Sequence, residues 1–201
     1  MKLGCVIMAA GASSRFGENK LLHNFLGKPL FAYVLEAAEG VFDKTAVVTG
    51  YEPVKVYAEK LGFSTVENKQ PELGVSHTIR LGLEALKDCD GVVFATADQP
   101  LLTKETFLGL AEAFPKEPNC IHAVSAEGKR GNPCLFPREL FPELLTLEGE
   151  TGGGAVIRRN LNRLRLLEVA SEELLDCDTP SAMENCFKKA VKKYEKQEKT
   201  I

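Results

Sequence analysis

Short apolar runs alternate with amphipathic segments along most of the chain. Residues 3–8, 45–49, 64–67, 92–97, 121–125, 134–136 and 165–169 are short, and several are rich in Val and Ile. They read as strands, some apolar at successive positions and therefore covered on both faces, as in a parallel sheet. Between them, residues 30–38, 53–61, 75–86, 104–114 and 137–147 carry apolar positions at helical spacing, several with a capping residue or a proline at the start. A last helix opens with Thr179 as N-cap and Pro180 at the first helical position. The Lys/Glu-rich end "KKAVKKYEKQEKTI" reads as a solvated helix fraying into a tail. Strands alternating with helices predict an α/β fold with helices on both faces of a mostly parallel sheet. Such sheets bind ligands beyond the C-terminal ends of their strands, so the residues that follow each strand are the candidates for chemistry.

Composition narrows this picture. The 201 residues suffice for one domain with a substantial core, and 44% hydrophobic with 26% charged residues is an ordinary globular balance. A net charge of −3 offers no bulk field for nucleic acid, and no apolar run approaches the ~20 residues of a membrane helix. The opening apolar run is too short for a secretion signal and flows into a segment carrying Arg15, Glu18 and Lys20, so it reads as a buried first strand. Cys5, Cys89, Cys120, Cys134, Cys177 and Cys186 are widely spread without a CxxC pair. They are expected as reduced, mostly buried thiols in a cytoplasmic protein, with no zinc site.

Charge is not evenly spread. Residues 1–30 hold Lys2, Arg15, Lys20 and Lys28 against Glu18, a local +3 within an acidic chain. The stretch "MAAGASSRFGENK" follows the first strand and is neither a P-loop nor a GxGxxG turn. Ala9, Ala10 and Gly11 nevertheless let a backbone approach an anion, Arg15 can grip phosphate oxygens bidentately, and Lys20 supplies a point charge. Spacing alone leaves this reading level with a flexible surface loop. After the fourth strand, "VVFATADQP" places Asp98 where a carboxylate enters the crevice, or merely caps a turn. In "LLDCDTP", Asp178 is a second candidate ligand for a hard cation, and Asp176 reads better as part of an N-cap pair for the last helix. A glycine-containing anion loop, a basic pair and two separated carboxylates together suggest nucleotidyl transfer. Arg158, Arg159, Arg163 and Arg165 form another basic cluster, read as a solvated helix face plus a strand edge.

Several segments in order carry a family resemblance: "AAGASSRFGENK", "GKPL", "VVTGYE", "ENKQPELGVSHTIRLGL", "ADQPLLT", "RGNPCLFPRELFPELL" and "LLDCDTP". Over nearly the whole chain the sequence resembles the MobA-like nucleotidyltransferases, most closely the molybdenum-cofactor cytidylyltransferases. The resemblance implies the three-layer Rossmann-like fold of nucleotidyltransferases in one domain over residues 1–187, with 188–201 as a helix end or tail. It implies that Ala9, Ala10 and Gly11 line the nucleotide and that Arg15 and Lys20 hold its phosphates. Asn68, Gly74 and Thr78 would lie near base and ribose, and Asp98 and Asp178 would hold Mg2+, with Arg15, Lys20 and Asp98 as the catalytic set. Guanylyl-transferring relatives show "AGG" where this chain has Ala9-Ala10-Gly11, which favours CTP over GTP. The substrates would be CTP and molybdenum-bound molybdopterin, and a molybdenum hydroxylase would be a transient partner. The alternatives are a sugar- or polyol-phosphate acceptor, or a non-catalytic cofactor-delivery chaperone. The chain departs from the family's Gly-Asp-x-Gly element, carrying Gly149-Glu150-Thr151-Gly152 followed by Gly153 and Gly154. His77 stands where relatives often have a small hydroxyl residue and is read as a variable surface position.

Overall fold

The computed structural model describes residues 1–11 and 19–198, with side chains as far as Lys192. A seven-stranded sheet runs through it. In chain order its strands are β1 (Leu3–Ala9), β4 (Lys44–Thr49), β5 (Ser64–Glu67), β6 (Gly91–Thr96), β7 (Ile121–Ala126), β8 (Lys129–Pro137) and β9 (Leu164–Glu168). A small hairpin of β2 (Asn24–Phe25) and β3 (Lys28–Pro29) stands apart. The sheet order is β5-β4-β1-β6-β8-β7-β9, and β8 runs against the other six strands. The α/β class and the mostly parallel sheet expected from the sequence are therefore present.

Side-chain alternation along the strands sends residues to two cores. Leu3, Cys5, Ile7 and Ala9 of β1 face one, with Val93 and Ala95 of β6 beside them. Helices α1 (Leu30–Ala38), α2 (Glu52–Lys60) and α4 (Lys104–Ala113) cover that face through Phe31, Leu35, Val54, Ala58, Phe107 and Leu110. Val6, Val92 and Phe94 face the other core, covered by α3 (Val75–Ala85), α5 (Phe141–Leu145) and α6 (Gly154–Arg159) through Ile79, Leu83, Phe141, Leu144, Val156 and Ile157. Burial on both faces explains why these strands show apolar residues at successive positions. A β-carbon on Gly82 would stand 2.4 Å from Val6 Cγ1, so α3 lies against β1 more closely than any side chain permits.

A third, smaller core lies where α7 (Pro180–Glu198) meets the β2–β3 hairpin. Phe25, Leu30, Leu101, Cys177, Cys186 and Ala190 bury one another there. This cluster ties together the segments after β1, after β6 and before α7. Of the Lys/Glu-rich end, Ala190 is buried in this core, one turn beyond Cys186. Five of the six cysteines are buried, Cys120 is half-buried, and all are free thiols. Among the described residues no helix is long and apolar enough to cross a membrane.

Three local readings change. β8 is three times the length expected, because it begins at "KRGN", which carries no apolar signal, with Lys129 and Arg130 paired to Ala126 and Ser125 of β7. Its hairpin turns on Glu127 and Gly128, both at positive φ, +52° and +76°. That matches the twist of a two-residue connection. The expected 137–147 helix divides into a 3-10 turn (Arg138–Leu140) and α5, whose second residue is Pro142, unable to continue a preceding helix. Helix α6 follows a run of glycines and was not expected. Its apolar residues Val156 and Ile157 are drawn onto the sheet.

Candidate active site

A cleft of about 750 Å³ opens beyond the C-terminal ends of β1 and β6. The chain passes from β1 to β4 on one side and to β6 on the other, so the cleft sits at the point where strand order reverses. Ala10 and Gly11, directly after β1, line it. Their backbone is held from β4. Thr49 Oγ1 donates to the Ala9 carbonyl at 3.0 Å, the Tyr51 N–H donates to Thr49 Oγ1 at 3.0 Å, and the Tyr51 hydroxyl donates to the Gly11 carbonyl at 2.9 Å. Ala9 faces the core instead of the cleft. Arg15 lies outside the described residues.

Lys20 begins a 3-10 turn (Lys20–Leu22) capped by Asn19, whose Oδ1 accepts the Leu21 N–H at 3.1 Å. The next residue, Leu21, is buried, which anchors the turn, and Lys20 itself is 9% exposed. Its ammonium reaches Asp98 Oδ2 and Asp178 Oδ1, both at 2.5 Å. These carboxylates are 78 and 158 residues away in sequence. They meet because the Cys177 N–H donates to the Asp98 carbonyl at 3.0 Å and because Leu101 and Cys177 share the third core. Burial disfavours the Lys20 ammonium, but Asp98 and then Asp178 outweigh it, so its pKa is raised and it stays charged.

Among the described residues Asp98 Oδ1 is buried and without a hydrogen-bond partner, as is Thr96 Oγ1, and Thr96 and Asp98 both line the cleft. An unpaired buried carboxylate oxygen is costly unless a ligand completes it. Mg2+ takes one or two carboxylates and fills its remaining positions with water and phosphate oxygens. The donor set of Asp98 and Asp178 fits that ion. Among the described residues no group of three or more His, Cys, Asp or Glu could hold a metal by itself.

Asp176 was missed as a member of this cluster. The N-cap of α7 is Thr179, whose Oγ1 accepts the Ala182 N–H at 3.1 Å. Asp176 instead lies near the two carboxylates. It keeps an exposed flank, yet desolvation of its carboxyl and then the charges of Asp98 and Asp178 push its pKa up to about 6. Only the backbone path from Cys177 to Asp98 brings it there, and no local pattern marks it.

The opposite wall comes from α3 and the glycine-rich segment before α6. Gly74, Val75, Thr78 and Glu150 line it. Gly74 has φ +84°, and a β-carbon there would stand 2.4 Å from the carbonyl carbon and oxygen of Gly149. The Ser76 N–H donates to that oxygen at 3.1 Å. Asn68 is buried outside the lining: its Nδ2 donates to Thr78 Oγ1 at 3.1 Å and its Oδ1 accepts the Gln70 N–H at 2.9 Å. It orients Thr78 and the loop before α3. His77 is half-buried with Nδ1 unpartnered.

The sequence profile of the MobA-like NTP transferase domain matches residues 5–165, which span all but the last of the segments that build this cleft. The chain belongs to this family. Its MobA-like domain is 32% identical over 164 residues to "Bifunctional protein GlmU" of Corynebacterium aurimucosum, covering 76% of this chain and 30% of that protein. The chain thus spans under a third of the length of the curated relatives it matches. Among solved structures it resembles Rv0371c of Mycobacterium tuberculosis H37Rv, with a TM-score of 0.79 and 23% identity over 94% of this chain and 98% of that one. A second Rv0371c structure, a complex with manganese, superposes with a TM-score of 0.77 at 22% identity, covering 94% of this chain and 99% of that one. A CMP:2-keto-3-deoxy-manno-octonic acid synthetase complexed with CTP gives a TM-score of 0.76 at 16% identity, over 96% of this chain and all of that one. These three likenesses are of fold.

Proposed function

We propose that this MobA-like domain transfers CMP from CTP to the terminal phosphate of molybdenum-bound molybdopterin, releasing pyrophosphate. The observation that carries nucleotidyl transfer is the Lys20 ammonium between Asp98 and Asp178 at the edge of a cleft floored by Ala10 and Gly11. CTP and the molybdopterin acceptor rest on the ordered resemblance, with Ala9-Ala10-Gly11 supporting cytidine. The manganese complex of one fold neighbour and the CTP complex of another are in keeping with a divalent cation and a cytidylyl donor.

In this reaction an oxygen of the acceptor phosphate forms a bond to the α-phosphorus, and the bond to the β-phosphate oxygen breaks with its electron pair leaving on pyrophosphate. A phosphate monoester with a second pKa near about 6 is mostly dianionic at neutral pH and needs little help from a general base. Positioning and charge neutralisation remain for the protein. Ala10 and Gly11 let the triphosphate approach the backbone. Lys20, fixed by its two carboxylates, offsets charge developing at the α-phosphate, and Arg15 holds the leaving pyrophosphate. Asp98 and Asp178 would hold Mg2+, which when bound supplies positive charge to phosphate oxygens. Thr78, oriented by Asn68, and Gly74 border the nucleoside.

The test is pyrophosphate release with each of four nucleoside triphosphates against molybdopterin and sugar-phosphate acceptors. CTP with molybdenum-bound molybdopterin is expected to turn over fastest. Faster release with a sugar or polyol phosphate would replace the acceptor. CTP binding without release would revert the protein to a cofactor carrier.

A further inference from the structure

We propose that Arg130 and Arg158 form a two-guanidinium clamp for the phosphate monoester of the acceptor, an inference that rests on nucleotidyl transfer being the reaction of the neighbouring cleft. A β-carbon placed on Gly154 would lie 3.6 Å from Arg130 Nη2 and 3.7 Å from Arg158 Nη1, the nearest groups among the described residues apart from its chain neighbours and the backbone of its own helix. Two guanidiniums thus converge on a gap that a glycine keeps open. Like charges brought together on a surface repel unless an anion lies between them.

Of the other five arginines with described side chains, four are held by the protein and Arg159 is not. Arg138 pairs with Asp90, Arg163 with Glu139 and Arg165 with Glu117, and Arg80 donates to the Leu147 carbonyl. Among the described residues Arg130 and Arg158 make no ion pair and no side-chain hydrogen bond. Both are exposed and available to a solute. Two of the four arginines in the cluster read as a solvated face, Arg163 and Arg165, are therefore tied to the protein, while Arg158 shares the space over Gly154 with Arg130.

Their position suits an acceptor. β8 is antiparallel to β6, so its first residues, Arg130 included, stand at the sheet edge where Asp98 enters the cleft. Gly154 follows the cleft-lining Glu150 by four residues, at most about 15 Å of chain. The triphosphate-binding backbone of Ala10 and Gly11 lies after β1 on the other side of β6. A phosphate seated in the clamp would approach from the side opposite the nucleotide's entry over β1. Planar guanidiniums suit a phosphate dianion through paired N–H donors.

Inorganic phosphate is the direct probe. On titration, the Nε–H NMR signals of Arg130 and Arg158 are expected to shift and that of Arg159 to stay. Gly154→Asp should abolish the response by placing a carboxylate between the guanidiniums. Gly154 does not have positive φ and opens α6, where an acidic residue is favourable, so this variant should fold. In turnover assays Arg130→Gln and Arg158→Gln should each raise the acceptor KM about tenfold, the loss of one charge-assisted contact. The CTP KM should stay within about twofold, and Arg159→Gln should change neither. Loss of affinity for CTP in place of the acceptor would assign the pair to the triphosphate and overturn the clamp. So would an unchanged phosphate response in Gly154→Asp. Phosphate binding at the pair without pyrophosphate release from any nucleotide and acceptor would overturn the transfer reading and with it the acceptor assignment.

Discussion

Lys20 carries two duties that separate under substitution. Its charge compensates Asp98 and Asp178, and in the proposed reaction it also meets the α-phosphate. Lys20→Met should lower kcat by about 10²–10³ with a smaller change in the CTP KM, as expected for a charge whose interaction strengthens in the transition state. Steady-state kinetics beside a urea melt would check this, and a KM effect exceeding the kcat effect would make Lys20 a binding residue. Lys20, Asp98 and Asp178 were individually legible in the sequence as charged residues following strands. Their contact was not, because it depends on a backbone hydrogen bond from Cys177 to Asp98 that no spacing encodes. For the same reason Asp176 read as a cap while the structure sets it among carboxylates. Asn68 read as a nucleotide contact, whereas its side chain is committed to Thr78 and Gln70.

At the scale of elements, the start of α3 and the segment before α6 form one wall of the cleft, and Gly74 is where they meet. Gly74→Ala would place a β-carbon in the Gly149 carbonyl group and hold alanine at φ +84°. The expected cost is about 2–4 kcal/mol of stability, combining a left-handed backbone with overpacking. Urea denaturation should show it as a lower midpoint, and CTP affinity should fall as the wall displaces. Most helices and strands were readable from periodicity because each buries a regular face. The first half of β8 and α6 were not, since residues 129–132 carry no apolar run and α6 begins on the third of three glycines. Both are stabilised by what they pack against and not by local propensity.

For the molecule as a whole, acid should weaken the fold. Burial works against the Glu36 carboxylate, but hydrogen bonds from Lys28 and Tyr57 outweigh it and hold its pKa below the usual 4.5. The three residues join β3, α1 and α2. At the opposite end Lys2 and Lys44 lower Asp88, linking the starts of β1 and β4. Both carboxylates bind protons more readily unfolded than folded, so their stabilisation is complete above the ordinary carboxylate range and is lost progressively as pH falls from there through their lowered folded values. Glu36→Gln should be less stable than the parent at pH 7, and the gap should narrow as pH falls below the ordinary carboxylate range, as thermal melts across pH would record. The α/β alternation, the buried strands, the free thiols and a cleft beyond the C-terminal ends of the parallel strands were readable from the amino-acid order. These follow from periodicity, composition and the direction of a parallel strand. Which charges meet was visible only in three dimensions: Lys20 with Asp98 and Asp178, Asp176 near them, and Arg130 and Arg158 both close to Gly154. Such meetings depend on strand order and on the small core that draws α7 to the β2–β3 hairpin, and long-range packing of this kind leaves no periodic trace in the chain.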